Sequence, residues 1–379
     1  MEIGIIGKGK MGRDIFNHLF QFDERLVLIC RKLEDVEALR ASIEKQLKKM
    51  FTRGYITEAA YEKKKISFTV SNELSALKYC DLVIESVFED KELKQEIFQT
   101  LETIVKSDCI LATNTSSIPL NIVFEKCSIK DRCLGMHFFF PVKITRTVEI
   151  NKTKMTGQKH VETVKDLLAR AEKNSLELKE EANMILTRMF TTVITQIYRI
   201  YEENYLAIEE IDKVLKESLV TYGLFEIIDS TGMDIILESI GNFINDRYRN
   251  LYTPLYNKGR NLLEEGYRGG TGNKGLTAYE QEHAIALKEA NEAEVLQYKQ
   301  NIILRMQSLI INELAFIVNN QYVEKDKINE AVQEVFGLSE APADILNRIG
   351  KQKIAECLLE SCRSLKDDIY QPEDLSVYN

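Results

Sequence analysis

Three glycines near the N-terminus have the spacing of a nucleotide-binding loop. The segment Gly7-Lys-Gly9-Lys-Met-Gly12 follows a short apolar run, residues 2–7, and precedes a helical pattern through residue 20. In a GxGxxG motif the first glycine permits a tight turn, the second lets backbone amides approach a pyrophosphate, and the third lets helix and strand pack closely. The helix N-terminus then attracts the phosphates. The residues predicted to bind a dinucleotide are Gly7, Gly9, Lys10, Met11 and Gly12.

The end of the second strand-like run carries cations where an NAD-binding domain usually carries an acid. Residues 26–30 (LVLIC) predict a strand, and Arg31 and Lys32 follow it. An acidic residue there binds the ribose hydroxyls of NAD and repels a 2′-phosphate, whereas Arg or Lys pairs with that phosphate. The cofactor is therefore predicted to be NAD or NADP, and the cations favour NADP. The alternative is that Arg31 and Lys32 are ordinary solvated surface cations.

Short apolar runs alternate with helical segments through the first 180 residues. The later runs lie at residues 66–69, 82–84, 110–112, 134–136 and 147–150. Strands that alternate with helices predict a parallel sheet with helices on both faces. The charged amphipathic stretch 33–53 predicts a helix or a helical hairpin.

After about residue 180, helical periodicity dominates and strand patterns disappear. Sliding the sequence by 117 residues aligns identical residues, among them Arg188 with Arg305, Met189 with Met306 and Tyr205 with Tyr322. Chance similarity between two amphipathic helices is the alternative to a duplication. We predict a dinucleotide-binding domain over 1–180, a helical domain over 181–290 and a second, degenerate copy of it over 291–379.

Composition excludes several classes of protein. The 379 residues are 44% hydrophobic with a net charge of −9, which is typical of a globular chain and argues against nucleic-acid binding. No apolar stretch reaches the roughly 18 residues of a membrane span. Seven dispersed cysteines lack metal-ligand spacing, so no metal site is expected and the thiols fit a reducing compartment. Because a strand-like run begins at Glu2, a signal peptide has no room, and we expect a cytoplasmic protein.

Several further segments match one known family in order and content. They are Asp81-Leu-Val-Ile-Glu-Ser-Val-Phe-Glu89, Asn114-Thr-Ser-Ser117, His137-Phe-Phe-Phe-Pro141, Val148-Glu-Ile150 and Thr271-Gly-Asn-Lys-Gly275. Together they resemble the 3-hydroxyacyl-CoA dehydrogenase family over roughly residues 1–280. The resemblance implies a Rossmann-type α/β domain followed by an all-α domain. It also implies an NAD(P)-dependent oxidoreductase that interconverts a 3-hydroxyacyl thioester and its oxo form.

The resemblance assigns roles to individual residues. His137 matches the family's catalytic histidine, the general acid/base, and Glu149 matches the carboxylate that orients it. Ser116 matches the residue that hydrogen-bonds the substrate oxygen and the cofactor. Glu89 and Lys94 match positions that line the cofactor. Standing alone, His137 would be interpreted as a satisfied core histidine.

Two substrate-binding positions depart from the family pattern. Phe140 and Thr187 stand where the family has asparagines, and a phenylalanine side chain cannot replace an amide hydrogen bond. The resemblance places Lys48, Lys49 and Arg53 in the region that binds the CoA nucleotide in this family. The acyl thioester is thus expected on CoA or on an acyl carrier protein, for example as a glyceryl unit in polyketide-type biosynthesis. A dehydrogenase of a free hydroxy acid and a catalytically impaired nucleotide-binding homologue are two further hypotheses.

The repeat predicts an oligomeric state. In two-domain relatives the helical domain commonly pairs with its copy in a second subunit. A tandem copy on one chain can bury the same apolar face internally. We therefore expect a monomer with an internal pseudo-dimer.

Overall fold

The strands of the computed structural model lie in the first half of the chain, as the alternating pattern predicts. The structure describes residues 1–180, 182, 184–243, 249–283 and 286–378. Within these ranges the strands are β1 (Glu2–Ile6), β2 (Arg25–Ile29), β3 (Phe68–Ser71), β4 (Leu82–Glu85), β5 (Ile110–Thr113), β6 (Cys133–Phe138), β7 (Thr147–Asn151) and β8 (Asn174–Glu177).

All of these strands join one sheet in the order β3-β2-β1-β4-β5-β6-β7-β8. The first six positions in that order are parallel, as predicted, but β7 runs antiparallel to β6 and β8 is parallel to β7. The antiparallel pair has a simple cause, because the residues between β6 and β7, 139–146, are too few for a crossover helix. The order reverses at β1, which lies between β2 and β4. Ligands of such sheets bind at this switch point.

Six helices accompany the sheet among the described residues of the first half. They are α1 (Lys10–Leu19), α2 (Leu33–Thr52), α3 (Glu58–Lys65), α4 (Lys91–Ile104), α5 (Leu120–Val123) and α6 (Gln158–Arg170). The charged stretch 33–53 forms the single helix α2. Acids in its first turn and Lys49 in its last turn complement the helix dipole, while Ile43 and Leu47 are buried. Strand residues such as Ile5 and Leu28 are fully buried in one core cluster.

The second half is helical where the structure describes it. Its helices are α7 (Ile185–Glu202), α8 (Ile208–Ser218), α9 (Leu224–Thr231), α10 (Met233–Phe243), α11 (Arg249–Glu264), α12 (Leu276–His283), α13 (Glu292–Asn319), α14 (Lys325–Phe336), α15 (Pro342–Ile349) and α16 (Lys351–Leu365). One isolated antiparallel bridge joins Val220 to Leu338. The predicted class, an α/β Rossmann-type domain followed by an all-α region, is confirmed.

Two compact units divide the chain, residues 1–183 and 184–379. The predicted boundary at residue 181 falls outside the described residues. Residues 184–379 form one unit, and its division at 290/291 stays a prediction, as does the tandem repeat. Helix α13 is long and apolar enough to cross a membrane by composition, but 67% of its apolar window is buried inside this unit. That burial is what a central bundle helix requires.

Candidate active site

The glycine-rich loop has the shape that the dinucleotide motif requires. Gly7 follows β1 with φ at +124°, and a Cβ there would lie 2.2 Å from the carbonyl oxygen of Ser86. A Cβ on Gly12 would lie 2.1 Å from the carbonyl oxygen of Gly7, whereas Gly9 faces open space. Helix α1 begins directly after Gly9. The loop therefore leaves room for a pyrophosphate against the helix N-terminus, and these residues fit NAD.

The other two loop residues lie on either side of the helix start. The Lys10 ammonium lies 3.6 Å from the centre of the Phe140 ring, which places the loop beside the segment after β6. Met11 is partly buried against the core. The predicted cofactor residues of the loop thus share one end of the sheet with Phe140.

The turn after β2 presents cations and no acid at the expected ribose position. Cys30 is buried, and its thiol contacts the backbone carbonyls of Lys32 and Ser71 at 3.6 and 3.7 Å. Arg31 is exposed and makes no ion pair with any residue the structure describes. Lys32 is exposed and pairs with Glu34 at 3.1 Å.

Ser116, His137 and Glu149 form one hydrogen-bonded chain. His137 on β6 lies directly opposite Glu149 on β7, and its Nδ1 is 3.1 Å from a Glu149 oxygen. Its Nε2 lies 3.2 Å from the Ser116 hydroxyl. Both His137 and Glu149 are buried. Because a carboxylate only accepts hydrogen bonds, Nδ1 is the donor to Glu149, and in a neutral imidazole Nε2 then has its lone pair on the Ser116 side.

Glu89 fixes the backbone of the serine loop, residues 114–117, which follows β5. One of its carboxylate oxygens accepts hydrogen bonds from the amides of Ser116 and Ser117 at 2.8 and 3.0 Å, and from the Thr115 hydroxyl. Burial alone would raise the pKa of Glu89, but the Lys94 ammonium and these hydrogen bonds outweigh it and lower the pKa. Glu89 is therefore an ionised carboxylate that holds the Ser116 backbone in place.

Lys94, which the resemblance assigns to the cofactor, is bound to two carboxylates, and its contact with the cofactor stays a prediction. Its side chain is only 1% exposed and bridges Glu85 at 2.7 Å and Glu89 at 3.2 Å. Glu85 also accepts hydrogen bonds from the Thr113 hydroxyl and the Val87 amide, both at 2.7 Å. Lys94 therefore supports Glu89 and does not itself reach the surface.

The site also contains residues to which the sequence analysis assigned no role. Asn114 accepts a hydrogen bond from the Phe138 amide at 2.9 Å, which joins the serine loop to β6. Glu85 is an acid inside a buried apolar strand, and such residues are almost never buried without a partner. That pattern could have signalled a buried polar network. Asn114 and Thr115 lie in the segment 114–117 that resembles the family, but the resemblance assigned them no role.

Two of the three cations predicted to bind CoA line the same cavity, and the third does not. A cavity of about 540 Å³ in the first unit is lined by Lys49 and Arg53, together with Lys64, Lys143 and Asp14. Lys48 is exposed on α2 and does not line this cavity.

The two departures from the family pattern lie in different units. Phe140 is 48% exposed, under the Lys10 ammonium. Thr187 lies in the first turn of α7, and its buried hydroxyl has no hydrogen-bond partner among the described residues. Its hydroxyl therefore keeps its full hydrogen-bonding capacity.

The parallel strands explain why the first-unit groups assemble. Gly7, Glu89 and Ser116 follow β1, β4 and β5, and His137 is near the end of β6. Since the carboxyl ends of parallel strands meet at one edge, these groups are brought together across the switch point. The arrangement can take a proton at Nε2 and stabilise the resulting imidazolium by the Glu149 carboxylate.

Family models cover most of the chain. Residues 2–181 match the 3-hydroxyacyl-CoA dehydrogenase NAD-binding domain, and residues 184–279 match the C-terminal domain of the same family. A 3-hydroxybutyryl-CoA dehydrogenase from Clostridioides difficile is 28% identical over 62% of this chain and 85% of its own. The mitochondrial hydroxyacyl-coenzyme A dehydrogenase of Rattus norvegicus is 30% identical over 62% of this chain and 76% of its own.

A solved structure matches the entire fold. The 3-hydroxybutyryl-CoA dehydrogenase of Escherichia coli covers 99% of this chain and 97% of its own, with a TM-score of 0.81 at 20% identity. The Ralstonia eutropha (S)-3-hydroxybutyryl-CoA dehydrogenase covers 72% of this chain and 97% of its own, with a TM-score of 0.62 at 25% identity. The chain belongs to the 3-hydroxyacyl-CoA dehydrogenase family, and its first unit is that family's NAD-binding domain.

Proposed function

We propose that the protein interconverts a 3-hydroxyacyl thioester and its 3-oxo form by hydride transfer. The observation that carries the proposal is the Ser116–His137–Glu149 chain beside the glycine-rich loop. The names of the relatives point to CoA-linked 3-hydroxyacyl substrates.

In this mechanism His137 moves the proton. In the oxidative direction Nε2 takes the proton of the substrate hydroxyl while the C3 hydrogen leaves as hydride. Bound NAD supplies the hydride acceptor, its nicotinamide C4. Glu149 holds the neutral imidazole in the required tautomer and then stabilises the imidazolium. Ser116 donates its hydroxyl proton to the substrate oxygen, and Glu89 holds its backbone in place.

Replacement of the histidine tests this assignment. We expect His137→Gln to lower kcat for oxidation of NADPH or NADH with acetoacetyl-CoA by about 10²–10⁴-fold. Dinucleotide binding, followed by fluorescence quenching, should persist. The matched control is His160→Gln, because His160 is a buried histidine on α6 outside the site. Unchanged activity in His137→Gln would refute the role of His137.

For the group that carries the acyl thioester we propose CoA, bound in the cavity that Lys49 and Arg53 line. Lys49 and Arg53 line it with Lys143 and a single acid, a balance suited to phosphates. Lys64 also lines it, but its ammonium donates to the Phe20 and Phe22 carbonyls. Lys49→Met and Arg53→Met should each raise KM for acetoacetyl-CoA by about tenfold and leave KM for acetoacetyl-pantetheine unchanged. Lys45→Met is the control, since Lys45 is exposed on α2 and lines no part of the cavity.

The alternative carrier of the thioester is an acyl carrier protein, which is commonly acidic and can bind the same cations. Mass spectrometry of an acetoacetyl-loaded carrier protein, run beside the CoA assay, separates the two alternatives. Reduction of the carrier-bound unit alone would overturn the proposal for CoA. If both thioesters stay unreacted while the dinucleotide binds, the result favours a dehydrogenase of a free hydroxy acid or an impaired homologue.

Phe140 and Thr187 provide a separate test of impairment. If the missing amides limit the reaction, Phe140→Asn should raise kcat, because a hydrogen bond made in the transition state is worth about 2.7–4 kcal/mol. A lower kcat in this variant would instead indicate a pocket rebuilt around Phe140. The cation–π contact with Lys10 supports the rebuilt pocket.

For the cofactor we propose a preference for NADP(H) within the NAD-binding fold. The support is the neutral Cys30 at the ribose position and the exposed Arg31 after it. A ratio of kcat/KM for NADPH over NADH below one would overturn this preference. Cys30→Asp should shift the ratio towards NADH, because a carboxylate accepts the ribose hydroxyls and repels the 2′-phosphate.

We further propose that residues 291–379 duplicate the first helical domain and replace a partner subunit. Helices α8 and α14 begin at Ile208 and Lys325, 117 residues apart, and the α9 and α15 starts differ by 118. The bridge between Val220 and Leu338 joins positions that are also 118 residues apart, as a local two-fold axis requires. A sedimentation mass near 43.7 kDa is expected, and twice that mass would refute it.

A cytoplasmic location is part of the same proposal. All seven cysteines are free thiols, and five of them are buried, which suits a reducing compartment. Cell fractionation tests it.

A further inference from the structure

Lys8 extends across the space between the glycine-rich loop and the second helix. It lies between Gly7 and Gly9, and its ammonium is 2.6 Å from an Asp35 oxygen in the first turn of α2. The Lys8 side chain is 45% exposed and the Asp35 side chain 20%. The second Asp35 oxygen is buried without a hydrogen-bond partner in the described part of the chain. Lys8 therefore forms an ion pair with the partly buried Asp35 carboxylate, and one oxygen of that carboxylate still lacks a hydrogen bond among the described residues.

Cys30 lies beside this ion pair. Strands β1 and β2 are neighbours in register, and the Gly7 amide donates to the Ile29 carbonyl at 3.0 Å, so the residues that follow both strands adjoin. Burial raises the pKa of the Cys30 thiol, the nearby Asp35 carboxylate raises it further, and the Lys8 ammonium opposes this. Both charges thus lie close to the residue that takes the place of the ribose-binding acid.

We propose that Lys8 and Arg31 together bind the 2′-phosphate of NADP(H), and that Lys8 exchanges Asp35 for this phosphate on binding. Lys8 is then a specificity-determining residue. The inference rests on the proposed NADP(H) preference and deepens it.

The charges explain how the exchange discriminates. A 2′-phosphate carries close to two negative charges and offers three acceptor oxygens, so it competes with a single carboxylate for the ammonium. The ribose hydroxyl of NAD is neutral and leaves the Lys8–Asp35 pair intact. Asp35 has two effects, since it holds Lys8 near the subsite and its own charge opposes the phosphate.

Nucleotide fragments test the subsite without the thioester reaction. Titration calorimetry on the full chain compares adenosine 2′,5′-bisphosphate with 5′-AMP. We expect the bisphosphate to bind wild type at least about tenfold more tightly, with affinity that falls steeply as salt increases. Lys8→Met should weaken the bisphosphate by about 10- to 100-fold and 5′-AMP by less than about twofold. Lys8→Arg should retain the preference, and Asp35→Asn should strengthen bisphosphate binding.

The control is Lys78→Met, which removes one exposed lysine before β4, at the opposite edge of the sheet. Thermal unfolding verifies that each variant is folded. Equal affinity of wild type for the two fragments would overturn the NADP(H) preference itself. A preserved preference in Lys8→Met would overturn only the assignment to Lys8. Weaker bisphosphate binding in Asp35→Asn would overturn the exchange.

Discussion

Replacing Lys94 by methionine removes an ammonium that is enclosed between two carboxylates. The side chain is 1% exposed, and its partners Glu85 and Glu89 are 0% and 16% exposed. Methionine is also long and unbranched, so little packing is lost. The main effect is electrostatic, because Glu85 and Glu89 lose the ammonium that bridges them.

The expected cost is large for a domain of this size. Breaking a buried ion pair by removing one partner costs about 3–5 kcal/mol, against a total stability of about 5–15 kcal/mol. Followed by circular dichroism, this loss lowers the urea midpoint of the first unit by roughly 1–2 M.

The pH dependence has a definite sign. Burial would raise the pKa of Glu89, but Lys94 outweighs it and the pKa is lowered in the folded chain, so its contribution is present above about pH 4.3 and lost as pH falls through the folded pKa. Burial would lower the pKa of Lys94, but Glu85 and Glu89 outweigh it and raise the pKa. Its contribution is therefore present below about pH 10.4 and lost only as pH rises through the folded value. The difference between wild type and Lys94→Met should be constant from about pH 6 to 9 and shrink in acid.

Two variants make the test specific. Lys94→Met with Glu85→Gln removes both charges of the closest pair and should recover more than half of the loss. Lys91→Met, on the same helix, removes a lysine that is 56% exposed and should change stability by less than about 0.5 kcal/mol. If Lys94→Met costs under about 1 kcal/mol, or the double variant is no more stable than the single one, the electrostatic reasoning is wrong.

Single contacts elsewhere in the chain lead to three more predictions. Burial lowers the pKa of His18, so the unfolding free energy should fall as pH drops below about 6.5, and His18→Gln should flatten that slope in urea titrations between pH 7 and 5. Gly12→Ala should lower the melting temperature and abolish dinucleotide binding, because its Cβ would lie 2.1 Å from the Gly7 carbonyl oxygen. Gly9→Ala should keep the wild-type melting temperature, because a Cβ there faces open space, and equal melting temperatures for the two variants would contradict this reasoning. The Asn312 side chain makes three hydrogen bonds to the C-terminal backbone. Asn312→Ala should therefore lower the unfolding free energy of the second unit by about 2–4 kcal/mol. A loss under about 1 kcal/mol would contradict this prediction.

Periodicity was sufficient to predict most of the sheet and the nucleotide loop. Fully buried parallel strands are continuous apolar runs, and residues 26–30 and 82–84 show this clearly. The loop after β1 has a specific pattern because only glycine tolerates the contact distances at Gly7 and Gly12. Local sequence does not encode strand direction, so the antiparallel β7 was not expected.

The hydrogen-bonded chain of Ser116, His137 and Glu149, for which we propose a catalytic role, could not be derived from spacing. His137 and Glu149 are twelve residues apart, and only the register of β6 against β7 places them opposite each other. Their roles came from the resemblance, which also placed Lys94 at the cofactor. The burial of Lys94 was not evident from the sequence either, because it depends on the contact with Glu85 across the turn between β4 and α4.

Lys94 is buried, so the effect of its replacement on kcat distinguishes a positioning role from a purely structural one. It pairs with Glu89, whose carboxylate accepts from the Ser116 amide, and the Ser116 hydroxyl meets His137. In the proposed mechanism, loss of the ammonium therefore affects the substrate oxygen through displacement of Ser116. If Lys94 is a positioning residue, folded Lys94→Met should show a lower kcat and an unchanged KM for the dinucleotide, and the double variant with Glu85→Gln should restore kcat. A purely structural residue would instead lower the active fraction, with the kcat of each folded molecule unchanged.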